Sequence, residues 1–243
     1  MRRLPVVLTL VLLAAGCGSP PAPHRVVVFA AASLRPAFTE LGEVLRAADP
    51  DAAVEFSFAG SADLLAQLSG GARADVFASA DTASMDRAVR ADVVGRPAAF
   101  ATNTLTIVVA PGNPKRISVF GDLARVSVVT CAPQVPCGAA TTRIEDATGV
   151  DLAPVSEESS VSDVLNKVVT GQADAGLVYV TDARAAAGRL TAVAIPEAAT
   201  AVNTYWIATA KDADNPAAAR RFIESVTGPP GRDILRRAGF GPA

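Results

Sequence analysis

The segment VVVFAAASLRPAF, Val26 to Phe38, constrains the fold of this chain more than any other. A continuous apolar run ends in three alanines and a serine, and apolar residues at helical spacing follow at once. The arrangement returns in VEFSFAGSADLLAQL, Val54 to Leu68. An apolar run without polar alternation marks a strand buried on both faces. Strands that repeatedly lead straight into helices imply parallel pairing through right-handed crossovers. The same junction twice sets tiny residues and a serine where a helix begins.

The rest of the chain continues the alternation. RVVVFAA, AAVEFSFAG and ADVFASAD read as strands. LRPAFTELGEVLRAAD, ADLLAQLSGG and TASMDRAVRAD read as helices, with Pro36 tolerated in a first turn and Gly70 and Gly71 as a stop. TNTLTIVVAPGNP reads as one longer strand. A second series follows: RVSVVTCA, APVSEE and AGLVYVTDA as strands, AATTRIEDATG and SVSDVLNKVVTG as helices. AVNTYWIATA is another long strand, and NPAAARRFIESVTG and PPGRDILRRAGF close the chain as helices. The long strands near Asn103 and Thr204 are candidate crossings between two halves. The expected architecture is α/β, with two parallel-dominated sheets in a venus-flytrap layout. Residues 26–103 plus 205–243 would form lobe 1 and residues 104–204 lobe 2, with a ligand cleft between them.

The N-terminus reads as an address. MRRLP is a short basic region, and VVLTLVLLAA is an apolar stretch of about ten residues, too short to span a bilayer. Residues 1–16 are therefore expected to be a signal peptide. The small residues before Cys17 resemble a bacterial lipobox, although Ala14 stands where leucine is commoner. That resemblance implies cleavage before Cys17 and lipid on its sulfur; the alternative is an ordinary signal peptide with an incidental cysteine. GSPPAPH continues as a Pro-rich tether, 17–25. The expected location is the outer face of the cell membrane. In that oxidising compartment Cys131 and Cys137, flanking APQVP, are expected to form a short-loop disulfide, with two free buried thiols as the alternative.

Composition removes several function classes. The net charge of −2 and the lack of a basic run argue against nucleic acid. Aromatics are 5% with a single Trp206, which disfavours a stacking site for sugars or bases. The one histidine, His24, lies in the tether, so a zinc site lacks ligands and a Ser-His-Asp triad lacks its base. FAGSADL lacks the second glycine of a G-x-S-x-G elbow, and neither a Walker motif nor G-x-G-x-x-G occurs. An extracytoplasmic hydrolase is thus a remote alternative, and no catalytic residue, metal or cofactor is expected. A purely sensory or adhesive lipoprotein of the same fold is a further alternative.

What remains is an anion site without formal charge. Helix N-termini carry unpaired N–H groups and partial positive charge, enough to hold an anion without lysine or arginine. Ser33 and Ser61 add a hydroxyl at two such starts, where the plainer role is helix capping. In VPCGAATT the N–H of Cys137 can face a cleft, and in SSVSDVL that of Val161; for both the plain alternative is an ordinary loop. Tyr179 in GLVYVTDA stands near a strand end, either with its hydroxyl in the cleft or as a half-buried strand residue.

The ordered set FAAASL, FAGSADL, ADVFASAD, NTLTIVVAPGNP, VPCGAAT, GLVYVTDA and ILRRAGF closely resembles the molybdate-binding proteins of bacterial ABC importers. The likeness runs from Val26 to the terminal GFGP. It implies a type II periplasmic-binding-protein fold and capture of molybdate or tungstate for a membrane permease and ATPase, by a monomer. It also implies the donors: the hydroxyls of Ser33, Ser61 and Tyr179 and the N–H groups of Cys137 and Val161. Three positions depart from relatives: Cys137 stands where alanine is common, and Gly60 and Asp63 replace small polar residues. A carboxylate facing the cleft would repel a dianion, so Asp63 is expected to point away. A sulfate or other oxyanion receptor of the same fold is the alternative reading.

Overall fold

The computed structural model describes residues 24–50 and 52–243. The expected signal peptide, the lipidation site Cys17 and all of the tether before His24 lie outside the described residues. The strands are β1 His24–Ala31, β2 Ala52–Ala59, β3 Val76–Ser79, β4 Ala98–Asn103, β5 Leu105–Val109, β6 Val128–Cys131, β7 Ser156–Glu158, β8 Ala175–Tyr179, β9 Thr191–Val193 and β10 Asn203–Thr209. The helices are α1 Arg35–Ala48, α2 Ser61–Ser69, α3 Thr82–Arg90, α4 Pro136–Thr148, α5 Val161–Val169, α6 Val180–Ala185, α7 Pro216–Thr227 and α8 Pro229–Ala238.

The strands form two sheets of five, in the orders β2-β1-β3-β10-β4 and β7-β6-β8-β5-β9. In the first, β1 pairs parallel with β2 and β3, while β10 pairs antiparallel with β3 and β4. In the second, β6 pairs parallel with β7 and β8, while β5 pairs antiparallel with β8 and β9. Each sheet is therefore evenly mixed rather than parallel-dominated. The antiparallel pairs all involve β5 and β10, the strands that begin where the chain passes between sheets. Such a strand enters from the far side instead of returning over a helix, so it runs against its neighbours.

Three boundaries differ from the sequence reading. TNTLTIVVAPGNP is not one strand: Asn103 ends β4, Thr104 passes between sheets, and Leu105 starts β5. The return crossing enters the first sheet at Asn203, which pairs with Asn103, so Asn203 and Thr204 belong with that sheet and not with lobe 2. His24 and Arg25, read as tether, already pair with Ala52 and Ala53.

Both faces of the first sheet are covered, which explains the unbroken apolar run in β1. Val26, Val28 and Ala30 face α1, α7 and α8, where Phe38 packs against Phe100 and Phe222 with ring centroids 6.0 and 5.6 Å apart. Phe29 faces the other way, with Phe77, Leu64 and Met85 of the α2–α3 side. The second sheet has its own core around Ile107, Val129, Leu177 and Ile144. Ala32, which precedes α1, also packs into that second core, so the two halves are in contact. Gly60 and Ser159 meet on the same seam: a Cβ on Gly60 would lie 2.0 Å from the Ser159 carbonyl oxygen.

Candidate functional site

Four helix starts converge between the sheets. From the first come the 3-10 turn Ala32–Leu34, which runs into α1, and the first residue of α2, Ser61. From the second come α4, with Pro136 at its first position and Cys137 next, and α5, beginning at Val161. Tyr179 ends β8 beside them. Ser33, Ser61, Cys137, Val161 and Tyr179 line one cavity, and each is almost fully buried. No lysine, arginine, histidine or carboxylate is among its lining residues.

The small residues of the two sequence junctions permit this approach. Ala31, Ala32, Gly60 and Ala80 supply the rest of the wall from the first sheet's side. On the other side Gly138 is required for packing: a Cβ there would stand 2.0 Å from the Ala132 carbonyl oxygen. Cys131 and Cys137 are joined by a disulfide, with Cα atoms 5.7 Å apart, tying the start of α4 to the end of β6. The enclosed space is about 10 Å3, room for one water-sized sphere. A wider hollow of about 260 Å3 lies between α1, α6 and α8, but Arg237 on its wall is engaged by Glu40. The small cavity is the candidate site because the starts of α2, α4 and α5 line it.

Neither serine caps its helix. Gly60, before α2, makes no side-chain cap, and Ser61 Oγ instead accepts the Ala80 N–H at 3.0 Å. Ser33 Oγ lies 2.8 Å from the Tyr205 hydroxyl. Ser160, which lies outside the cavity, shows the ordinary role: its Oγ accepts the Asp163 N–H of α5 at 3.3 Å. The N–H groups of Ser61, Cys137 and Val161 stand in first turns, where no carbonyl four residues back exists within the helix. The cavity thus gathers main-chain donors, hydroxyls and helix-terminal partial charge around one small volume, the chemistry of a bare anion site.

Several residues of this site were not singled out in the sequence. Asn203 Nδ2 donates to the Tyr179 hydroxyl oxygen at 2.7 Å and also bonds the carbonyls of Ala80 and Pro136, spanning both sides. Arg143 donates to Asn203 Oδ1 at 2.6 Å, which fixes the amide's orientation. Asn103 Nδ2 donates to Thr181 Oγ1 at 2.8 Å and to the Tyr205 hydroxyl at 3.5 Å. The available signal was polar residues in a strand assigned to a crossing, where buried amides must find partners. Burial holds the Tyr179 and Tyr205 hydroxyls far above their usual range, so both stay protonated. Burial also pushes the Asp182 carboxyl up to about 7, against the opposing bond from the Tyr179 N–H. Asp63 is not among the cavity's lining residues.

Residues 26–241 match the family described as bacterial extracellular solute-binding protein. The chain is 58% identical over 220 residues to the molybdate-binding protein ModA of Mycobacterium bovis, covering 89% of this chain and 84% of that one. Among solved structures, the periplasmic molybdate-binding protein of Azotobacter vinelandii superposes with a TM-score of 0.78 at 21% identity, over 90% of this chain and 99% of that chain. The sulfate-binding protein SubI of Mycobacterium tuberculosis superposes equally well, with a TM-score of 0.77 at 20% identity, over 90% and 87%. At such identities the two structures speak for the two-lobe fold alone. This chain belongs to the bacterial extracellular solute-binding protein family and is a relative of the ModA molybdate-binding proteins.

Proposed function

We propose that this protein captures molybdate and tungstate outside the cytoplasmic membrane and hands them to an ABC permease and its ATPase. Ser33, Ser61 and Tyr179 donate hydroxyl hydrogens, and Cys137 and Val161 donate main-chain N–H groups. The carrying observation is that these five residues, separated by up to about 150 positions in the chain, line one cavity that has no formally charged wall. A tetrahedral dianion suits such a wall because each of its oxygens accepts and none donates. The cavity has room for only one water-sized sphere, so the tetraoxyanion would be admitted as the two sides part along the Gly60–Ser159 seam.

Lipid on Cys17 and the tether behind it would hold a monomeric receptor beside its permease. Cys17→Ala would then release the mature chain from the membrane fraction. Capture itself is tested by thermal unfolding. A solute at 100 times its dissociation constant stabilises the folded state by about 2.7 kcal/mol. Molybdate and tungstate are expected to raise the melting temperature at a stoichiometry of one per chain. No shift with either anion in excess overturns the reading.

A further inference from the structure

The hollow of about 260 Å3 lies between α1 and α8 on the first sheet's side and α6 on the second sheet's side. Small-molecule sites begin near about 300 Å3, so this groove suits a small ligand. Pro36, Ala37, Ala238 and Phe240 give it an apolar wall, and Arg184 and Arg237 give it positive charge. Arg237 is paired with Glu40. The Arg184 guanidinium has neither a hydrogen bond nor an ion pair among the described residues. It is nevertheless held against the chain. Gly239 ends α8 with a φ of 103°, and a Cβ there would stand 2.8 Å from Arg184 Cδ and Nη1. Glycine alone suits both that backbone angle and that contact. Arg184 thus crosses from α6 to the C-terminal end of α8, where helix carbonyls favour a cation. Its fork of N–H donors reaches the groove with no acceptor among the described residues. Thr181 Oγ1, on the same wall, accepts the Asn103 amide at 2.8 Å and keeps its own hydrogen to donate. With two guanidinium groups against the one carboxylate of Glu40, the groove is positive in a chain whose net charge is −2.

We propose that this groove is a second ligand site, for a small organic carboxylate. The planar carboxylate meets the planar Arg184 fork, two oxygens against two N–H groups. Its carbon skeleton lies on Pro36, Ala37 and Phe240, where burial of apolar surface adds to affinity. An inorganic oxyanion would use the charge and leave that wall wet. The ligand touches both halves at once, so it binds only while α6 keeps this spacing from α1 and α8. The groove is separate from the small cavity: Ser33 lines both, and they share no other residue. Their chemistry differs as well, because the cavity wall has no charged side chain and the groove has three. The proposal therefore does not rest on the reading of the small cavity as an oxyanion site.

The test titrates benzoate, with neutral benzamide of the same shape as control, into the isotope-labelled mature chain at neutral pH, followed by NMR. Benzoate is expected to saturate, with shifts confined to α1, α6 and α8 around Ala37, Ala185 and Ala238, and to bind about tenfold more tightly than benzamide. Arg184 is exposed, so Arg184→Gln should keep the wild-type melting temperature. It should weaken benzoate about tenfold and leave benzamide unchanged. Arg184→Lys keeps the charge without the fork and should fall between; it decides the matter where Arg184→Gln lowers the melting temperature. Shifts that never saturate, equal binding of benzamide, or full benzoate affinity in both variants overturns the proposal. A repeat at saturating molybdate separates the two sites. Benzoate bound alongside molybdate supports the groove, and benzoate displaced by molybdate puts it in the small cavity and overturns the proposal. A chain whose spectrum does not respond to molybdate loses the proposed function, while the benzoate titration still decides the groove.

Discussion

The first sheet's side of the cavity offers side chains, and the second sheet's side offers mainly main chain. Ser33 and Ser61 line it with hydroxyls, the first hydrogen-bonded to the Tyr205 hydroxyl and the second accepting the Ala80 N–H. Cys137 and Val161 stand at the starts of α4 and α5, where helix geometry itself aims the N–H groups. The first kind of donor is removed by a single substitution. The second is not, and it depends on what holds the helix start: the Cys131–Cys137 disulfide and the contact of Gly138 with the Ala132 carbonyl. Tyr179 is the exception on the second side, a hydroxyl directed by Asn203. The two sides should therefore fail differently.

The largest expected effect separates them by charge. Asp182 stands in the first turn of α6 on the second side, and burial raises its carboxyl to about 7 from an ordinary value near 3.8. The folded state thus holds the proton more tightly than the unfolded chain. That contribution to stability is complete below about pH 4 and is lost as pH rises through about 7, amounting to about 4 kcal/mol. Asp182→Asn should match the wild type at pH 4 and exceed it at pH 8. Equal pH dependence of the two melting curves would remove Asp182 from the account.

Closure comes next. Gly60 has extended backbone angles that any residue can adopt, so a side chain there does not disturb α2 itself. It does meet the Ser159 carbonyl across the seam. Gly60→Val should keep each half folded and hold the two sides apart, costing about 100-fold in affinity if the closed form drops to about 1% of molecules. Unchanged affinity in titration calorimetry would mean that the donors do not need the seam closed.

Single donors follow. Ser33→Ala and Ser61→Ala should each weaken molybdate binding by about 1.5–3 kcal/mol, tenfold or more. Ser160→Ala should instead reduce stability by about 1 kcal/mol through the lost cap and leave affinity nearly unchanged. If all three behave alike, the distinction between cavity serines and capping serine collapses. Among the changes to donors, the smallest loss of affinity belongs to the disulfide. Replacing both Cys131 and Cys137 with serine opens a short loop and should cost about 2 kcal/mol of stability, with a few-fold loss of affinity because the helix start still aims the N–H. A hundredfold loss would show that the disulfide, and not α4, directs that donor.

Much of this was legible in the sequence because it is local. The run VVVFAA followed by helical spacing specifies β1 and α1, and the alternation specifies two α/β halves. The five cavity residues were reached through the ordered motifs, since each stands at a strand end or helix start that its own segment reveals. Asn203 and Tyr205 were not reached. Their partners Tyr179 and Ser33 lie 24 and 172 positions away, and nothing near NTYW marks which face of β10 meets them. The balance of parallel and antiparallel pairs was hidden for the same reason: the direction of β5 and β10 follows from the side on which the chain enters a sheet. The capping role allowed for Ser33 and Ser61 is plausible from sequence, and only the positions of Ala80 and Tyr205 show their oxygens engaged elsewhere.

The most direct test of an uncharged, donor-only site is a competition titration on the wild-type mature chain at neutral pH. Molybdate is bound first, and phosphate or sulfate is then added in increasing amounts. The account predicts one molybdate per chain, displaced by tungstate at comparable concentration, by sulfate only in large excess, and by phosphate least of all. Phosphate displacing molybdate at comparable concentration would contradict it, because the wall would then have to contain an acceptor.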